Sequence, residues 1–167
     1  MGPLEGVEEI GARRADAGFS QQRVKLAGHD ALVARRSDFR WEWVATRLHT
    51  FVMAFHVPEL DEQLAEDLTA AAQQYAIKHK GGLPRGLQTG SAAVPVFLSR
   101  EPHPALHPWF SAEPRHRFAA LRFPVLVELD APTLTYFQGR AQKGGVYLGH
   151  LRRVVRATVD PAVQTVS

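Results

Sequence analysis

Leu60, Leu64, Leu68, Ala71, Ala72 and Tyr75 recur at helical spacing, with polar residues between them. That period lines one side of an α-helix with apolar groups, so the pattern predicts a helix opening at Pro58 and ending near Lys80. Asp61, Glu62, Glu66 and Asp67 crowd its start, while Lys78, His79 and Lys80 end it. Both groupings complement the helix macrodipole, and Gly81-Gly82 supplies the stop. A second stripe, Tyr147, Leu148, Leu151, Val154, Val155 and Thr158, predicts a helix over about Val146 to Val159, with Arg152, Arg153 and Arg156 outermost.

Between and before these helices the pattern is that of strands. Arg23 to Leu26 and Ala31 to Arg35 read as two short strands joined by Ala-Gly-His-Asp, with Gly28 available for positive φ. Phe39 to Val57 is dense in aromatic and β-branched residues and reads as one long bent strand or two, Leu48 to Val57 being its clearest part. Ala92 to Leu98 suits a buried strand in which Pro95 points to an edge or a bulge. Pro102 to Phe110 has too many prolines for more than a helical turn. Phe118 to Asp130, centred on Val125 to Leu129, is a further strand region, and Thr133 to Phe137 returns across Asp-Ala-Pro as a hairpin.

The resulting order is a β-meander followed by β-α-β-α-β-β-α. Strands joined through a helix favour parallel pairing, and the hairpin adds an antiparallel neighbour. The expected fold is therefore α/β (or α+β), a mixed β-sheet flanked by helices. Residues 1–18 read as a mobile tail, 19–160 as one α/β domain and 161–167 as a second tail.

Length and composition narrow the function classes. The chain of 167 residues, 45% apolar, is the size of one ordinary domain. No stretch reaches the ~20 apolar residues of a membrane span, and no apolar core of a secretory signal is present. The absence of cysteine excludes disulfides, thiol nucleophiles and zinc–thiolate sites. We expect a cytoplasmic protein that needs no cofactor. Net charge is only +3, but from Leu68 onward twelve basic residues face five acidic ones, which favours an anionic partner.

The chemistry-bearing stretch is Lys78 to Gly90, KHKGGLPRGLQTG. Its glycines let backbone N–H groups turn toward a ligand, and nearby cations favour a negative one. We expect Lys80 and Arg85 to supply charge, Gln88 to supply hydrogen bonds, and Gly82, Gly86 and Gly90 to permit close approach. Helix capping accounts for Lys78 to Lys80 as well. The ligand would be an anionic small molecule, a nucleic acid or an acidic protein surface.

Two other classes compete. Glu128 and Asp130 share a strand face and could hold magnesium in a small metal-dependent hydrolase or nuclease, with Lys143 downstream. Alternatively the N-terminal strands could pair with another copy's sheet edge in a structural or assembly subunit, making a homo-oligomer. His103 and His107 lie four apart, but the prolines around them favour a surface loop over a metal site, so no metal is expected. Trp41 and Trp43 share a strand face with Arg47 and His49, which burial beneath a helix explains better than base stacking.

Two resemblances go with these residues. The order β-α-β-α-β-β-α, with Phe123-Pro124 before a strand and a hairpin before the last helix, resembles the second half of the thioredoxin-like fold. That family carries reactive cysteines after its first strand. His56 to Asp61 contains none, so redox activity does not carry over. GLPRGLQTG (82–90) and RFAALRFPVLVELD (117–130) are similar to segments of an uncharacterised family of small prokaryotic α/β proteins. That implies a shared fold over about residues 48–155 and no activity.

Overall fold

The computed structural model describes residues 20–39, 47–79, 89–114, 120–130, 133–140 and 145–158. Among them β1 (Ser20–Leu26) and β2 (His29–Phe39) form an antiparallel hairpin. Its connection is Ala27-Gly28, with φ of 48° and 80°. Two consecutive left-handed residues make the type I′ turn, whose twist suits a hairpin. The turn is thus tighter than the four residues expected, because His29 and Asp30 join the ladder opposite Leu26 and Lys25.

β3 (Arg47–His56) runs antiparallel to β2 and parallel to β4 (Thr89–Ser99). α1 (Glu62–His79) joins β3 to β4. Its start is capped by Asp61, whose Oδ1 accepts from the Leu64 N–H at 2.8 Å. α2 (Leu106–Ser111) leads to β5 (Ala120–Arg122) and β6 (Val125–Glu128), both parallel to β4. β7 (Thr133–Thr135) returns antiparallel to β6, and α3 (Gly145–Thr158) follows. The result is one mixed sheet of seven strands in the order β1-β2-β3-β4-β6-β7, with β5 beside β4. The expected mixed sheet flanked by helices is what the chain forms, and the single strand region expected over Phe118 to Asp130 is divided into β5 and β6.

Pro95 corrects one expectation. It stands in the central strand, with β3 on one side and β5 and β6 on the other. Odd-numbered residues of β4 turn their backbone polar groups toward β5 and β6: Phe123 N donates to Ala93 O at 2.8 Å and Leu129 N to Ser99 O at 3.0 Å. The missing N–H of Pro95 therefore falls between those bonds, level with the break at Phe123-Pro124 where β5 gives way to β6. Pro95 has no ladder partner on that side, so proline is tolerated in a strand that normally excludes it.

The sheet is covered on both faces. One face carries Phe51, Met53, Phe55, Ala93, Phe97 and Leu126, packed beneath α1 and α2. The other carries Leu48, Val52, Val94, Val96, Phe123 and Val125, packed against Leu148, Leu151, Val154 and Val155 of α3. The stripe buried by α1 is Ala65, Leu68, Thr69, Ala72, Gln73 and Ala76. It is rotated from the expected one, with Leu64, Ala71 and Tyr75 only half-buried. Small side chains let the helix lie close to the sheet. Gln73 is admitted because its amide donates to Ala120 O at 3.1 Å, anchoring α1 over β5.

Candidate functional site

The last turn of α1 lands on the first three strands, and a connected cluster forms there. Tyr75 meets Phe51 edge to face at 6.0 Å between ring centroids. Its hydroxyl accepts from Gln22 Nε2 of β1 at 2.6 Å. His79 stacks on Tyr75 with centroids 3.9 Å apart, and its Nδ1 lies 2.9 Å from Tyr75 O. A carbonyl only accepts, so Nδ1 carries the proton and Nε2 is turned away from that bond. Arg35 of β2 lies 5.3 Å above the Phe51 ring, and its Nη2 is 3.2 Å from Nδ1 of the buried His49. A guanidinium only donates, so that imidazole nitrogen accepts.

Three elements thus deliver Arg35, His49 and His79 to one place, with Lys78 exposed beside them. Each has a local reason to be there. Lys78 and His79 favour the carbonyl end of α1. Arg35 lies over an aromatic face that attracts cations. Together they make an end of the molecule that is both cationic and aromatic.

The segment read from the sequence begins at this point. Lys80, Gly82, Arg85, Gly86 and Gln88 lie outside the described residues. Gly90 is buried in β4, opposite Leu48 of β3. Lys143, Trp41 and Trp43 and the two expected tails also lie outside the described residues.

The other expected chemistry is distributed as follows. Glu128 accepts from the Thr133 hydroxyl at 2.5 Å and lies 2.9 Å from His107 Nε2, so α2 is tied to the hairpin of β6 and β7. Asp130 is exposed beyond the strand end. Among the described residues no group of three or more His, Asp or Glu is placed to hold a metal. His103 Nδ1 accepts from the Ala105 N–H at 3.2 Å, and Ser99 Oγ donates to Pro58 O at 3.0 Å. Arg152 does not join the solvated arginines of α3. It donates to Phe137 O at 3.1 Å and Gly139 O at 2.6 Å, clamping the segment before the helix. Arg122, unremarked in the sequence, is buried and donates from Nη2 to both oxygens of Glu66, at 2.8 and 2.7 Å. That pair forms part of a hollow of about 620 Å³ between α1 and α2, where Glu62, Glu113 and Trp109 also stand. Three carboxylates against one paired guanidinium make it unsuited to an anion.

No protein family matches the chain, and no curated protein or solved structure matches it. The functional reading rests on geometry alone. No helix among the described residues is long and apolar enough to cross a membrane.

Sequence reasoning missed Gln22, Arg35 and the role of Tyr75. The one local signal was the four-residue interval between Tyr75 and His79, which stacks two rings on a helix. Gln22 and Arg35 come from strands far away in the chain and carry no such mark.

Proposed function

We propose that this protein is a non-catalytic binding domain that recognises an anionic ligand at the C-terminal end of α1. Arg35 and Lys78 supply charge there beside the His79 imidazole, and Lys80, Arg85 and Gln88 follow directly in the chain. The observation that carries this reading is the connected chain in which His49 meets Arg35, Arg35 lies over Phe51, Phe51 meets Tyr75, and Tyr75 stacks on His79. Rings fix the position of the cationic groups and lower the entropy lost when a ligand orders them. Because Arg35 is half-buried, its charge is less screened than that of a surface lysine.

Equilibrium binding of pyrophosphate tests the reading in wild type, Arg35→Ala and Arg85→Ala. Removing one charge-assisted contact weakens a small anion by about tenfold, and we expect that loss in each variant. Affinities equal to wild type in both would end the proposal.

A further inference from the structure

The hollow of about 620 Å³ between α1 and α2 opens beside the first turns of α1, at the other end of that helix from Lys78 and His79. Its size falls within the range of small-molecule sites, about 300–1,000 Å³. α1 contributes Glu62 and Glu66 to it, α2 and the residues after it contribute Trp109 and Pro114, and the segment from β5 to β6 contributes Arg122 and Pro124.

The pairing of Arg122 with Glu66 is lopsided. Nη2 donates to both carboxylate oxygens, whereas the stronger arrangement sets two nitrogens against two oxygens. Nε is sealed from solvent without a partner. Nη1 has no bond among the described residues, yet it is not sealed, and the hollow is the space that Arg122 borders. The arginine side chain is only 10% exposed, so a charged acceptor gains more from this open donor than from a surface arginine. Glu62 is exposed four residues before Glu66, which places it one turn, about 6 Å, further along α1. The hollow thus offers a donor for a negative group and an acceptor for a positive one at about that separation. Trp109, half-buried, forms an apolar wall with Pro114 and Pro124.

We propose that this hollow binds a free α-amino acid with an apolar side chain, in its zwitterionic form. Arg122 Nη1 donates to the carboxylate, Glu62 accepts from the ammonium, and the wall of Trp109, Pro114 and Pro124 covers the side chain. An anion alone would meet the surrounding carboxylates, and a cation alone would meet the Arg122 guanidinium. A ligand that carries both charges a few ångströms apart meets a partner at each end and leaves the charge of the hollow unchanged.

The test is an NMR titration of the full chain with L-leucine, followed at the Trp109 indole signal, which Trp109→Phe identifies by its loss. Two analogues keep leucine's side chain: isopentylamine lacks the carboxylate and isocaproate lacks the ammonium. Each is expected to bind about tenfold more weakly than leucine or worse, the effect of one charge-assisted contact. Arg122→Met is expected to weaken leucine by about tenfold and to leave isopentylamine unchanged. Glu62→Gln, at an exposed position that folding does not need, is expected to weaken leucine similarly and to leave isocaproate unchanged. That crossover is one that a loss of structure, which weakens every probe alike, does not produce. Arg35→Ala is expected to bind leucine as wild type does, which separates this site from the end of α1. An indole signal that millimolar leucine does not move, or an analogue that matches leucine, would overturn the proposal. So would a Glu62→Gln protein with wild-type affinity for leucine.

Discussion

At Ala27 the backbone holds a φ of 48°, in the left-handed region where a Cβ crowds the following carbonyl. Glycine removes that strain at a position already committed to a turn. We expect Ala27→Gly to raise stability by about 0.5–1 kcal/mol, measured by urea unfolding. Gly28→Ala is expected to lower it by a similar amount, since φ is 80° there, although nothing lies within 4 Å of the added Cβ. His56 gives a pH dependence. Its folded pKa lies below the unfolded value, so the unfolded chain takes up the proton first as pH falls. The stability it contributes is complete above about pH 6.5 and is lost as pH falls through the lowered value. His56→Gln should flatten that part of the Tm-against-pH curve. An unchanged slope below about pH 6.5 would remove His56 as its source. None of this was legible beforehand. Gly28 was marked as a turn residue, but the left-handed Ala27 is set by the hairpin twist, and the burial of His56 depends on strands distant in sequence.

The elements themselves were more legible, because each rests on a local period. α3 buries the stripe its spacing predicted except for Tyr147, which is half-buried, and adds His150 to it. Leu151 is fully buried, so Leu151→Ala should cost about 2–4 kcal/mol, whereas Arg153→Ala on the exposed side should stay within about 0.5. Arg152→Ala should fall between them, because it frees two backbone carbonyls. Denaturant melts of the three variants order these effects directly, and equal losses at Arg152 and Arg153 would refute the clamp. The Arg122–Glu66 pair ties α1 to β5. The arginine side chain is 10% exposed and the glutamate 43%, so solvent screens one partner only. Glu66→Ala strands the buried guanidinium and should cost about 1–2 kcal/mol. Replacing the arginine by methionine, which leaves no buried charge behind, should cost less. Pro95 marks the limit of reading elements singly. A strand's position in a sheet is a property of its neighbours, and the break at Phe123-Pro124 that accommodates this proline lies about thirty residues further along the chain.

Across the whole molecule charge is divided between ends of the same helix. The carboxylates of Glu62 and Glu66 stand at the start of α1 and the Lys78 ammonium and His79 imidazole at its finish, where Arg35 is linked to them through the Phe51 and Tyr75 rings. The sequence disclosed the first half of that arrangement, since both groups lie on one helix. The contribution of β1 and β2 came only with folding. A field of this kind steers anions to one end and loses reach as salt rises, so pyrophosphate affinity should fall between low and physiological ionic strength. The most direct examination of the account is an NMR titration of the wild-type protein with pyrophosphate. At the lowest concentrations, the first and largest shifts are expected at Gln22, Arg35, His49, Tyr75, Lys78 and His79. Shifts that arise first in the hollow beside Trp109 and Glu113, or no shifts at the end of α1 at saturation, would contradict it.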